Sequence, residues 1–235
     1  MPTDSRAPSA FSSIPPVVKN LLILNGLAFL AQAVFDWLPA GQVGAPGPLM
    51  WWGALWPIGG AAAAASVGEV APAFYPWQLV TMAFLHGGFL HVAFNMFGLF
   101  SLGAVVEQTL GPRRFIGLYA ASVLGASLLQ LAVVSAPFLA GTVTAGSIFP
   151  TVGASGGVLG VATAFGILNP RQSIYIFPLP FPIEARWLVP GFAVISLVLG
   201  ITGAMGGVAH FAHLGGMAAG ALLVVFWRQR ARRPA

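Results

Sequence analysis

Residues 88–136 read GFLHVAFNMFGLFSLGAVVEQTLGPRRFIGLYAASVLGASLLQLAVVSA, two apolar runs on either side of Gly111-Pro112-Arg113-Arg114. A helix needs about 20 apolar residues to cross the ~30 Å hydrocarbon of a bilayer, and each run has that length. The join combines a turn-forming Gly-Pro with two charges that belong in water or among headgroups. Working outward, the same ruler places six spans, at 17–38, 88–109, 115–136, 155–169, 187–203 and 209–227. The fold class expected is therefore all-α, a polytopic membrane protein with a six-helix bundle.

Composition agrees. Of 235 residues, 57% are apolar and 6% charged, against roughly a quarter charged in an ordinary soluble domain. That excludes a water-soluble globule, a disordered chain and a nucleic-acid partner. The net charge of +5 comes from ten basic residues, four of them near the C-terminus, against five acids, so it reflects scarcity of charge. With no cysteine, disulfides, a thiolate nucleophile and a Cys-type zinc site are also excluded.

Basic side chains orient the spans, because cytoplasmic loops collect Lys and Arg. Arg6 and Lys19 precede span 1. Arg113 and Arg114 separate spans 2 and 3, and Arg171 and Arg186 separate spans 4 and 5. Arg228, Arg230, Arg232 and Arg233 follow span 6. Six spans put all ten on one side, with both termini cytoplasmic. Residues 1–16 are expected to form a flexible cytoplasmic tail, 17–228 the membrane domain and 229–235 a basic cytoplasmic tail, and no cleavable signal peptide is evident. The uncharged stretch 47–68 is long enough for a seventh span, which would turn every later Arg cluster outward. Trp51, Trp52 and Trp56, with Pro48 and Pro57, fit instead a long first outer loop lying in the interface.

All four histidines fall at the outer ends of even-numbered spans: His86 and His91 at span 2, with Asn95 one turn further in, and His210 and His213 at span 6. Intramembrane polar residues mark function unless they glue helices together; Asn25 and Gln130 read as glue. Ser155 lies 16 residues from Arg171 and His213 lies 15 from Arg228, so at about 1.5 Å per residue both sit at one depth below the outer surface. Span 4 is too short to cross the bilayer. The Gly/Thr/Pro segment before it must dip inward as irregular backbone, which is tolerated only in protein or lining a wet cavity.

Gly153-Ala154-Ser155-Gly156-Gly157 sets a serine between glycines at a helix start, where free N–H groups and the positive dipole end favour an oxyanion. His213 at equal depth is the candidate general base. His91 and Asn95, i and i+4 on one face, are candidate oxyanion donors. His86, at the helix mouth, reads as a structural brace of the outer loop. The only acid between Ser155 and His213 is Glu184, in a cytoplasmic loop, so a dyad is expected in place of a triad. Gly156-x3-Gly160 and Gly216-x3-Gly220 let spans 4 and 6 approach closely. No H-E-x-x-H occurs, although the four histidines leave a metal site or a His-lined transporter as an alternative; an aspartyl mechanism needs two membrane-embedded acids, and the only aspartates are Asp4 in the tail and Asp36 at a helix end.

His86-x4-His91-x3-Asn95 in span 2, Gly153-Ala154-Ser155-Gly156 opening span 4 and Ala212-His213-Leu214-Gly215-Gly216 in span 6 together resemble the rhomboid family of intramembrane serine proteases. The resemblance implies Ser155 as nucleophile, His213 as base, His91 and Asn95 at the oxyanion, and no cofactor or metal. It implies substrates that are transmembrane proteins, single-span ones above all, cut in or beside the membrane segment near the outer face. The membrane implied is a bacterial inner one. Glu107 matches an acid that members often carry. Leu159 stands where many members have an aromatic ring beneath the histidine, and Trp77-Gln78 where some have Trp-Arg. A catalytically silent, client-binding relative is the remaining alternative.

Overall fold

A computed structural model describes residues 14–37, 46–66, 68–142, 148–175, 181–204 and 208–232. Of the expected tail over 1–16, residues 1–13 with Arg6 lie outside the described residues, as does the end of the basic tail with Arg233, and Pro16 already belongs to the first helix. The first long helix, α1, runs Pro16–Trp37, with proline at its start where a missing N–H costs nothing. The stretch 47–68 does not form one long rod. It makes α2 (Pro48–Gly53) and α3 (Gly60–Ser66), broken at Pro57, followed by the single turn α4 (Gln78–Thr81). Span 2 is α5 (Phe89–Gly98) and α6 (Ala104–Leu110), joined through a π-helical turn at Leu99–Gly103 that the sequence did not signal. Then come α7 (Pro112–Leu139), α8 (Ser155–Leu168), α9 (Ala185–Thr202) and α10 (His210–Ala231).

Five of these segments, α1, Phe89–Leu110, α7, α9 and α10, are long and apolar enough to cross a membrane, while α8 is apolar but has 14 residues. The molecule is an all-α polytopic membrane bundle. One small departure lies between α8 and α9. Ser173–Ile174 and Ile183–Glu184 pair as a two-stranded antiparallel hairpin, β1 and β2, and α9 begins at Ala185, so Arg186 is helical and pairs with Glu184 at 2.8 Å.

Helices α7, α8 and α10 form the centre, and small residues make it tight. A Cβ at Gly220 would lie 2.6 Å from the Gly160 carbonyl oxygen, and one at Gly160 would lie 2.8 Å from the Gly216 oxygen. A Cβ at Gly216 would run into the Gly156 carbonyl. Gly125 of α7 faces Gly215 and Ala219 of α10 in the same way, a second glycine seam beyond the one expected from spacing. Phe115, Leu118, Val161, Phe165 and Leu99 fill the space around it, each at most 2% exposed.

Glu107 is 2% exposed and holds the start of α1: its two carboxylate oxygens accept the Val17 and Val18 N–H groups at 3.0 and 2.8 Å. These are first-turn donors with no helical partner, at the positive end of the helix dipole. Glu107→Ala strands both, and hydrogen bonds to charged groups contribute about 1.5–3 kcal/mol each. The thermal midpoint of the detergent-solubilised chain is expected to fall by several degrees, with Glu107→Gln in between; an unchanged midpoint for the alanine variant contradicts this role.

Candidate active site

The described residues just before Ser155 are irregular but held by backbone hydrogen bonds. Thr151 and Leu55 exchange both backbone hydrogen bonds, at 3.0 and 2.9 Å, and the Gly153 N–H donates to the Met82 carbonyl at 2.9 Å. Gly153 has φ +130, open only to glycine at low cost, and its missing side chain leaves room for His91: a Cβ there would lie 2.7 Å from His91 Cε1 and Nε2. The chain then turns into α8 with Ser155 as its first residue, so the Ser155 N–H has no intrahelical acceptor.

His213, in the first turn of α10, meets Ser155 across the glycine seam, with Nε2 2.9 Å from Oγ. Both line a cavity of 650 Å³ together with His91, Asn95, Gln130 and Thr151. The rest of its wall is mostly apolar, with Phe94 and Phe149 largely exposed at its edge. Of the sequence-derived residues, Ser155, His213, His91 and Asn95 thus share one cavity. Gly153, Gly156 and Gly216 are the backbone contacts that let them meet.

His91 Nδ1 accepts the Gly87 N–H at 3.3 Å, so in a neutral ring the proton sits on Nε2, the nitrogen turned toward Gly153. Asn95 donates one amide hydrogen to the His91 carbonyl at 3.0 Å, keeping the other. Glu184 is tied to Arg186 beyond the far end of α8 and has no part in the site.

His86 precedes α5, at the helix mouth as expected, and differs from the sequence reading only in its partner: its backbone pairs with Gln32 of helix α1, not with the outer loop. Its N–H donates to Gln32 Oε1 at 3.0 Å and its carbonyl accepts from Gln32 Nε2 at 2.7 Å. The ring stands edge-on to His91, with centroids 5.2 Å apart, and near Phe29 at 6.5 Å. The outer loop is anchored instead by Gln78, fully buried, whose side chain accepts the Trp56 N–H at 3.3 Å and donates to the Ala73 carbonyl at 3.3 Å.

Gln130 is glue, but within the site. Its oxygen accepts the Ala212 N–H at 3.1 Å and its nitrogen donates to Thr151 Oγ1 at 3.2 Å. It ties the residue before His213 to the segment before Ser155. As for a metal, the histidines are strung in two pairs, His86–His91 and His210–His213. Among the described residues no three of His, Asp or Glu converge.

Burial first, and the neighbouring His91 second, push the His86 ring down to about 4, below an ordinary histidine near 6.5. The folded state then binds fewer protons than the unfolded one between those values, so stability rises with pH there. This share of stability is present above about pH 6.5 and lost as pH falls toward 4, up to about 3 kcal/mol. Thermal midpoints taken from pH 7 to 4 are expected to fall, and less so in His86→Phe; parallel curves for the two proteins would count against it.

A rhomboid domain model matches residues 73–230. Among curated relatives, the mitochondrial Rhomboid protein 1 of Saccharomyces cerevisiae is 34% identical over 145 residues, covering 62% of this chain and 40% of its own. Rhomboid protease AarA of Providencia stuartii is 31% identical over 159 residues, 63% of this chain and 55% of the relative. Rhomboid protease GlpG of Serratia proteamaculans is 32% identical over 165 residues, 66% and 49%. The chain spans about half the length of these relatives, or less. The matched region runs from before α4 to the last turn of α10 and takes in every residue around the cavity except Pro57, so the fold, the motifs and the match agree that this chain belongs to the rhomboid family.

Proposed function

We propose that the protein is an intramembrane serine endopeptidase that cuts transmembrane protein substrates, single-span ones foremost, by a Ser155–His213 dyad. The observation that carries this reading is the 2.9 Å approach of His213 Nε2 to Ser155 Oγ, both lining one cavity. The Ser155 O–H donates to Nε2. As Oγ attacks the scissile carbonyl carbon, the proton passes to Nε2 and the carbonyl electrons move onto oxygen. The oxyanion is met by the Ser155 N–H, His91 Nε2–H and the free Asn95 amide hydrogen. Collapse breaks the C–N bond, and the imidazolium gives its proton to the leaving amine. Water then adds to the acyl-serine with His213 again taking the proton, the carboxyl product leaves, and Ser155 recovers its hydrogen.

The six-span arrangement, with α8 as the short fourth span, puts both termini in the cytoplasm and opens the cavity to the outer side. The basic residues at the α6–α7, α8–α9 and C-terminal ends support it. The membrane domain is taken as 17–228. A bacterial inner membrane is in line with the two bacterial relatives above, which align over 63% and 66% of the chain. The test is cleavage of a single-span reporter in liposomes together with labelling by a fluorophosphonate. Cleavage and labelling by the wild type and neither by Ser155→Ala are expected; equal cleavage by both defeats the assignment.

A further inference from the structure

One hydrogen bond fixes a point on an imidazole, and a second group must fix its plane. In serine hydrolases with a triad, an acceptor at Nδ1 does this. Here Nδ1 of His213 is buried and finds no acceptor among the described residues. What surrounds the ring instead is packing. His210, one turn earlier on α10, stands perpendicular at 6.1 Å between centroids. Phe192 of α9 lies at 6.0 Å with an interplanar angle of 48°, within the range of favourable aromatic pairs. His210 moves with the helix that carries His213, so it cannot fix the ring relative to a neighbouring helix. Phe192 comes from another helix and closes the side that faces α9. Leu159, one turn beyond Ser155 on α8, has no π face to do this from below.

We infer that Phe192 is a positioning residue for His213, its ring reaching across from α9 to set the imidazole plane that the unpartnered Nδ1 leaves free. The inference rests on the dyad reading above. It ties the chemistry to the seating of α9, a helix whose only buried side chains are Ala185 and Ser196 and which meets α10 closely at Gly200, where a Cβ would lie 3.1 Å from Phe211. The ionisable groups around the ring are His210 and, on the far side of Ser155, His91.

The test is the rate of fluorophosphonate labelling of the full chain in detergent from pH 5 to 9, a reaction in which Ser155 Oγ forms a bond to phosphorus, fluoride leaves and His213 takes the proton. Phe192→Leu is expected to label about threefold to tenfold more slowly than wild type, the size of an aromatic pair contribution. Its pH profile should be displaced, and its thermal midpoint close to wild type, since the side chain is 38% exposed. Phe192→Tyr should restore both rate and profile. Should the leucine variant unfold, Phe192→Met, whose flexible unbranched chain fills the gap differently and has no π face, carries the same expectation. Wild-type labelling by the leucine variant, or a slower rate with a superimposable profile, overturns the inference. So does faster reporter cleavage with unchanged labelling, which would make Phe192 a fence between cavity and lipid. A folded wild type that never labels overturns the dyad reading, and this inference with it.

Discussion

Ser155→Ala is expected to lower kcat for a single-span reporter by at least about 10⁴-fold, and His213→Ala by a similar factor, with KM little changed. The hydroxyl and the imidazole form one unit, joined by the 2.9 Å hydrogen bond. Removing either leaves only positioning and whatever the oxyanion donors give a water-driven reaction. The double variant should therefore be no slower than the slower single, because each substitution already removes the shared step. The oxyanion donors of the proposed mechanism should add to this. His91→Ala and Asn95→Ala each remove one donor and should cost about 10- to 1,000-fold, with Ser155 still labelled. Independent, multiplying losses at Ser155 and His213 would mean that the two do not work as a pair, and residual cleavage within tenfold of wild type would place the nucleophile elsewhere.

The length of the apolar runs and the placement of ten basic residues carry most of the bundle, because the thickness of hydrocarbon and the cost of burying charge act on every span alike. The candidate site is legible for a related reason: a polar residue in lipid needs a partner, so Ser155 and His213 group by their common depth, and His91 with Asn95 one turn further in joins them from span 2. Identity of the partner is another matter. Gln130 was visible as glue, but nothing in its span says that it joins Ala212 to Thr151. Gln32 was indistinct in span 1 and proves to be the latch on the His86 backbone. Phe192 was one of 18 phenylalanines on apolar surfaces, and no local period marks a ring that meets a histidine on the next helix. The π turn at Leu99–Gly103 and the pairing of Ser173–Ile174 with Ile183–Glu184 have no propensity signature either.

Gly216→Ala should be as damaging to activity as to stability, although it adds a single methyl group. That methyl would run into the Gly156 carbonyl, and backbone cannot swing aside as a side chain can. Helices α8 and α10 must separate, and they are the two that carry Ser155 and His213. Overpacking of this kind costs about 1–3 kcal/mol, and a displacement of about 1 Å at reacting groups can cost 100-fold in rate. Labelling of Ser155 should drop by about that factor, and the thermal midpoint should fall with it. The matched control is Gly117→Ala in α7, where nothing lies within 4 Å of an added Cβ. There the loss of glycine's freedom in the unfolded chain should leave the protein as stable or slightly more so, by about 0.5–1 kcal/mol, with labelling unchanged. If the two alanines behave alike, the glycine seam does not set the approach of the dyad. If Gly216→Ala keeps its midpoint and loses only labelling, the bundle can absorb the methyl while the 2.9 Å contact cannot, and the seam serves the geometry of the site more than the cohesion of the helices.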